Sequence, residues 1–297
     1  MTYEVGIVGV GNMGGGMALN LLGRGWKVHV CDLDAAKTEA LKKKGAIVHI
    51  EPAQLAIHSI VNIVCVVDAV QSHAVLFGAD GVGGLVSNLV PGRTVMLCPT
   101  LAPQDVEGFA QTLQPRAIQV IDAPMSGGPQ RASEGTMSLM VACKKSVFEA
   151  HQALLNALSS KLFYVSEKVG DGARTKLVNN LLAGINLVGA AEVMVMAQKM
   201  GLNLEKTLDV MEQSSAQSWI ASDRMRRALT GDYAPRAHMT LLEKDTRLAV
   251  AAAQAAGFEG PLGAVASQVF AAASAGGLEG QDDAALFKWL QRPKMTR

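Results

Sequence analysis

Gly9, Gly11 and Gly14 stand in a G-x-G-x-x-G spacing, directly after the apolar run Val5-Gly-Ile-Val-Gly9 and at the head of a helical pattern that runs to Leu22. The chemistry this spacing serves is phosphate binding. The first glycine permits a tight turn and the second lets backbone approach a pyrophosphate. The third lets helix pack on strand, so that phosphate meets a positive helix N-terminus. Asp32 closes the next strand, Lys27-Val-His-Val-Cys31, about 20 residues further on, as a dinucleotide fingerprint requires. A carboxylate there accepts hydrogen bonds from a ribose hydroxyl. A 2′-phosphate would need a cation, and Leu33 offers none. The pattern implies NAD in preference to NADP.

Two further groups carry chemistry. Ser126-Gly127-Gly128 follows a strand-like run and would present a hydroxyl and unobstructed backbone N–H groups, a cradle for a carboxylate. Lys176 and Asn180 lie four apart in a helical pattern and so share a face. Most helical lysines are simply solvated. Lys176 differs in being preceded by Gly170 and Gly172 and followed by two asparagines, of which Asn180 would need partners if buried.

Four stretches together resemble the β-hydroxyacid dehydrogenase family, which includes 3-hydroxyisobutyrate, tartronate-semialdehyde and L-threonate enzymes. They are GVGNMGGGMALNLL from Gly9, DAPMSGG from Asp122 with the later Gly135-Thr-Met, GDGARTKLVNN from Gly170, and Lys244-Asp245 within LLEKDTRLA. The resemblance implies an α/β Rossmann domain with a mostly parallel, doubly wound sheet, followed by an all-helical domain. It makes Lys176 the general acid/base, gives the substrate carboxylate to Ser126, Gly127 and Gly128, and has Asn180 orient substrate beside the lysine. It gives the cofactor Gly9, Gly11, Asn12, Met13, Gly14, Asp32, Val67, Thr100, Lys244 and Asp245. Three positions depart from the family pattern: Met125 replaces a β-branched residue, Pro99 a serine, and Asp68 an asparagine of the L-threonate type. The stretches Ser214–Trp219 and Gly231–Arg236 look most like the L-threonate and sugar-acid branch, and their polar side chains suit a polyhydroxylated acid. A four-carbon sugar acid is therefore the expected substrate, with 3-hydroxyisobutyrate as the competitor. The family also implies a homodimer or homotetramer.

Other functions fit less well. Imine reductases resemble this architecture but generally lack lysine at the catalytic position. A non-catalytic NAD-responsive binding protein would have no use for Ser126, Lys176 and Asn180 together. No G-x-S-x-G elbow is present, and histidines 29, 49, 58, 73, 151 and 238 show no H-E-x-x-H or other metal-ligand spacing. With 27 basic and 26 acidic residues and 4% aromatics, the chain has no footprint for nucleic acid. Four scattered cysteines form no C-x-x-C pair, the start lacks a signal-peptide pattern, and the apolar stretch around Leu177–Met200 is broken by polar residues. The expectation is a cytoplasmic enzyme without metal, membrane or nucleic-acid partner.

These residues need elements to hold them. Strand-like runs at Val5–Gly9, Lys27–Cys31, Ile60–Val67, Thr94–Cys98, Gln119–Ala123 and Met137–Ala142 alternate with helical patterns, which predicts a parallel sheet covered on both faces. From about Gly172 the β-branched runs give way to long Ala/Leu/Met-rich segments, beginning with a helix expected over Thr175–Met200. The change of period divides the chain into a nucleotide-binding domain over 1–164 and a helical domain over 165–297.

Overall fold

The computed structural model describes residues 4–79 and 82–292. Strands and helices alternate from the start: β1 (Glu4–Val8), α1 (Asn12–Gly23), β2 (Lys27–Cys31), α2 (Ala35–Lys42), β3 (Ile47–Val48), α3 (Pro52–His58), β4 (Val61–Val64) and α4 (Ala69–Phe77). Two short antiparallel strands, β5 (Gly78–Ala79) and β6 (Val82–Gly83), precede β7 (Thr94–Leu97), α5 (Pro103–Leu113) and β8 (Gln119–Asp122). Next come β9 (Met125–Ser126), α6 (Gly128–Glu134), β10 (Met137–Ala142), α7 (Lys145–Ala150), α8 (Gln152–Leu158), β11 (Ser159–Ser166) and the long α9 (Asp171–Lys199).

The sheet order is β3-β2-β1-β4-β7-β8-β10-β11, with β9 added on β10. The strands from β3 through β8 pair in parallel, while β10 runs antiparallel to β8 and carries β11 parallel to itself. Alternate residues face opposite layers, as the period of two demands. Ile7, Val30, Ile63, Met96 and Ile121 join one apolar core, and Val8, Cys31, Val64, Leu97 and Val120 join the other.

Register matters more than content for the site. Val8 is level with Cys31 and Val64, Val64 with Leu97, and Leu97 with Asp122. Five parallel strands therefore finish in one row. The chain reverses its direction of growth between β1 and β4, and ligands of such sheets bind beyond the carboxyl ends at that switch point.

Contact density divides the chain into two compact units, Met1–Lys176 and Leu177–Arg297, so the division lies inside α9. The change expected at 164 falls within β11, which runs on to Ser166 beside β10. A run such as Lys161-Leu-Phe-Tyr-Val reads ambiguously because β11 is an edge strand, and most of its residues are exposed or only partly buried. The helix expected from Thr175 begins one turn earlier, at Asp171.

The second unit is helical. Besides the rest of α9 it holds α10 (Leu204–Glu212), α11 (Trp219–Leu229), α12 (Met239–Ala255), α13 (Pro261–Ala273) and α14 (Leu286–Leu290). Asn203 caps α10 by accepting the Lys206 N–H, and Pro261 occupies the first turn of α13, where its missing N–H costs nothing. By length and composition α9 and the stretch Pro261–Leu278 are apolar enough to cross a membrane. Their inward faces supply Leu187, Ala191, Met194 and Phe270 to the core of this unit.

Beside β2 lies a stack of imidazoles. The His29 ring stacks on His49 and His58 at centroid distances of 5.0 and 5.1 Å. His29 Nε2 lies 2.7 Å from Glu4 Oε1 and its Nδ1 2.7 Å from His49 Nε2. A carboxylate only accepts, so His29 donates from Nε2 and takes the His49 proton at Nδ1. Burial pushes His29 below the usual imidazole range against the pull of Glu4, and burial with the two neighbouring rings does the same for His49. The folded state thus prefers the neutral rings. Their contribution is complete above the unfolded value of 6.5 and is lost as pH falls below it. Lowering the pH from about 7.5 to 5.5 is expected to reduce Tm, and His49→Gln to flatten that slope. Equal slopes in thermal melts of the two proteins would reject the stack as the cause.

Candidate active site

The glycine loop occupies the turn from β1 into α1. An added Cβ on Gly14 would fall far inside van der Waals contact with the Gly9 carbonyl oxygen, so only glycine allows α1 to start this close to β1. At Gly11 the reverse holds: among the described residues an added Cβ would meet nothing within 4 Å. Among the described residues no side chain caps the α1 N-terminus. An uncapped helix start beside open space is what a pyrophosphate requires. Asn12 and Met13 form the first helical residues there.

Asp32 closes the loop from the side. Its Oδ2 accepts the Val10 N–H at 2.6 Å and its Oδ1 the Asp34 N–H at 2.9 Å. The carboxylate is therefore fixed against the glycine turn. Leu33 beside it is fully exposed. Val67 follows β4 and is 48% exposed, and Thr100 follows β7 and is half-buried. The residues that sequence assigned to the cofactor in this unit thus sit in or beyond the row of strand ends, and they fit a nicotinamide dinucleotide.

Ser126 ends β9, paired with Ser138 of β10, and Gly127 and Gly128 follow with φ values of +134° and +74°. A Cβ on Gly127 would lie 2.7 Å from Cδ of Arg131, so the arginine stem packs over this turn. Four residues before Ser126, Asp122 ends β8 and is buried. Its Oδ2 accepts the N–H groups of Gly170 and Ala173 at 2.9 and 3.0 Å, at the start of α9. Burial pushes this carboxyl up to about 6, against the pull of those backbone donors. Lys176 lies one helical turn beyond Gly172 and is only 6% exposed.

In the second unit, Asn180 and Asp245 are both buried, and Asn180 Nδ2 donates to Asp245 Oδ2 at 2.6 Å. The acceptor-only carboxylate fixes the amide orientation. Lys244 Nζ lies 2.8 Å from Asp245 Oδ1 with its side chain 15% exposed, so it is half-buried rather than part of a solvated charged stretch. The three residues form one cluster across 65 positions of sequence.

The sequence assigns no role to Asp122, and it assigns Asn180 to substrate and Asp245 to cofactor without showing that the two pair. The signal for Asp122 was an acid closing the apolar strand Gln-Val-Ile, where burial demands a partner. Its partners lie 48 and 51 residues away and carry no pattern of their own. Among the described residues no group of three or more His, Cys, Asp or Glu is arranged to hold a metal ion.

Residues 4–166 match the family model for the NAD-binding domain of 6-phosphogluconate dehydrogenase. Residues 170–290 match that for the NAD-binding domain of NADP-dependent 3-hydroxyisobutyrate dehydrogenase. L-threonate dehydrogenase of Cupriavidus necator is 33% identical over 288 residues, covering 97% of this chain and 96% of its own. The 2-(hydroxymethyl)glutarate dehydrogenase of Eubacterium barkeri is 31% identical over 292 residues, covering 98% and 96%. Among solved structures, a 3-hydroxyisobutyrate dehydrogenase from Salmonella typhimurium is 32% identical with a TM-score of 0.89, covering 97% of this chain and 99% of its own.

Proposed function

The chain belongs to the β-hydroxyacid dehydrogenase family of nicotinamide-dependent enzymes, and from that premise we propose that it oxidises an L-threonate-like sugar acid, with NAD as cofactor and Lys176 as general acid/base. The observation that carries this reading is the burial of Lys176 on a helix that starts at the end of β8. Within the same unit, β8 stands three strand spacings, about 14 Å, from the glycine loop on β1.

A nicotinamide dinucleotide held at the Gly9–Gly14 loop and Asp32 would supply the acceptor for the carbinol hydride. Lys176 Nζ, neutral at that moment, accepts the hydroxyl proton as the C–O bond becomes C=O, and in the reverse direction its ammonium returns the proton. Ser126 Oγ and the backbone of Gly127 and Gly128 hold the substrate carboxylate, the fixed group against which the reacting carbon is placed. Asn180 lies one turn beyond Lys176 along α9 and orients the hydroxyl beside the amine. A 3-hydroxyisobutyrate-type acid would use the same groups. Polar Ser214, Ser218 and Arg236 favour the polyhydroxylated one. The test follows reduced nicotinamide by absorbance with L-threonate, D-glycerate and 3-hydroxyisobutyrate. Fastest turnover with L-threonate supports the sugar-acid reading, and fastest turnover with 3-hydroxyisobutyrate replaces it. Silence across the panel, with NAD binding proven, overturns hydroxyacid oxidation for these acids.

Asp32 underlies the choice of NAD. Its carboxylate is locked in place by two backbone N–H groups and would face a 2′-phosphate with like charge. We expect kcat/KM with NAD to exceed that with NADP by about 10²-fold, and Asp32→Ala to remove most of the difference. Equal efficiency of the wild type with both cofactors would refute this role.

We also assign the enzyme to the cytoplasm as a homodimer or homotetramer. All four cysteines are unpaired, as a reducing compartment favours. Val178, Leu182, Val193 and Met196 of α9 and Met200 just past it are exposed, a strip that association would cover. Light scattering after gel filtration should give a multiple of 31.2 kDa, and Leu182→Glu with Met196→Glu should shift it toward one chain. A wild-type mass of one chain would end the proposal.

A further inference from the structure

The buried carboxylate of Asp122 is not needed for any step above, yet it is placed where it governs Lys176. We propose that Asp122 is a positioning residue: it docks the first turn of α9 on the end of β8 and thereby sets where the Lys176 amine stands. The inference rests on the reading of Lys176 as the acid/base.

The geometry is specific. One oxygen of Asp122 accepts two N–H groups of the helix start, those of Gly170 and Ala173. Fixing both sets the rotation of α9 about its axis as well as its height above the sheet. Between them, a Cβ on Gly172 would lie 2.8 Å from the Met140 carbonyl oxygen and 2.9 Å from Asp122 Cγ, so the helix backbone rests directly on the strand ends. Lys176 is three residues past Ala173 and four past Gly172, on the same helix face. Helical side chains lean over the preceding turn, so the Lys176 chain leaves α9 across Gly172, toward the edge where Asp122 sits. A shift of this one contact moves the amine with it. Other fastenings of the helix start are peripheral: Ser166 Oγ to Asp171 at 2.7 Å, and Arg174 to Asp171 and Glu107 at 3.0 and 2.6 Å.

A neutral amide oxygen would hold the two N–H groups less tightly, because hydrogen bonds to an ionised acceptor are shorter and stronger. The carboxylate adds a negative charge at the positive end of the α9 dipole, within two turns of Lys176. Other titratable groups facing Asp122 are Asp171 on α9 and the buried thiols of Cys98 and Cys143. The two thiols are uncharged at neutral pH, because burial raises both. Keeping an ion in this place opposes burial, which pushes Asp122 up to about 6. The folded state therefore takes up a proton more readily than the unfolded chain, and the charged form is a net cost to folding at neutral pH.

Position and stability thus pull in opposite directions, and this separates the proposal from a merely structural role. Asp122→Asn keeps the acceptor and removes the charge, while Asp122→Ala removes both. With NAD and L-threonate, or the fastest acid of the panel, kcat should fall about tenfold in the first and about 10²-fold in the second, as small displacements of a reacting group do. KM and NAD affinity should stay within about twofold, and the Tm of Asp122→Asn should hold or rise. Loss of the negative charge favours the neutral amine, so the pH limb of kcat should move to lower pH by about half a unit in Asp122→Asn. Wild-type kcat and limb in Asp122→Asn, with Lys176→Ala inactive, overturn the positioning role alone. Parallel losses of Tm and NAD affinity, with an unmoved limb, also overturn it. An active Lys176→Ala overturns the base assignment and this inference together.

Discussion

Replacing Lys176 with alanine is expected to lower kcat at least ~10²-fold and to leave NAD affinity unchanged, the loss typical when a general acid/base is removed. Both halves have a structural reason. Lys176 is withdrawn from solvent to 6% exposure on a helix fixed to the end of β8, so no bulk base replaces its amine at the same position. The groups fitted to the pyrophosphate and ribose, Gly9 to Gly14 and Asp32, lie in the turn from β1 into α1, in the first turn of α1 and just past β2. Lys176→Arg sharpens the result. Arginine keeps a cation on a stem of similar length but does not deprotonate in proteins, so it cannot serve as the base. If Lys176 acted only through its charge, the arginine variant would retain most activity. If it moves a proton, the arginine variant should be as inactive as the alanine one. Stopped-flow turnover with cofactor titration by fluorescence separates these cases, and an alanine variant with unchanged kcat would remove Lys176 from the mechanism.

The parts of the molecule that were readable in advance share one property: their partners are near in sequence or their pattern repeats. The glycine turn and Asp32 lie within one β-α-β segment and are joined by the Val10–Asp32 hydrogen bond across 22 positions. The parallel strands announced themselves through continuous apolar runs, because both of their faces are buried. The edge strand β11 did not, since one-sided burial and mixed polarity blur its period. Long-range polar pairs were hidden altogether. Nothing local to Asn180 points to Asp245, and nothing local to Asp122 points to Gly170. Lys244 illustrates the cost: its neighbours Glu243, Asp245 and Arg247 look like a solvated stretch, yet Asp245 turns inward to meet Asn180. Sequence patterns fix which face of an element is apolar. They do not say which buried polar group meets which.

Two glycines of the same loop should fail in different ways. Gly14→Ala places a methyl against the Gly9 carbonyl and within 3.4 Å of the Cys65 Cβ, so the turn must open. The obstacle is backbone, which cannot rotate aside as a side chain would. Overpacking of this kind costs about 3 kcal/mol, the upper part of the usual range, and a Tm loss of several degrees is expected with it. The displaced helix start should also weaken NAD binding by more than about tenfold. Gly11→Ala differs at the root. Among the described residues its Cβ would meet nothing within 4 Å and its φ of −65° suits any residue, so Tm should stay within about a degree of wild type. The open space beside Gly11 is where the fingerprint brings the pyrophosphate closest to backbone, so NAD affinity should still fall by about tenfold or more. Melting curves and NAD titrations on the two variants separate packing from binding within five residues. A Gly11→Ala protein that binds NAD as the wild type does would show that the cofactor does not approach this turn, and the dinucleotide site would have to be sought elsewhere on the row of strand ends.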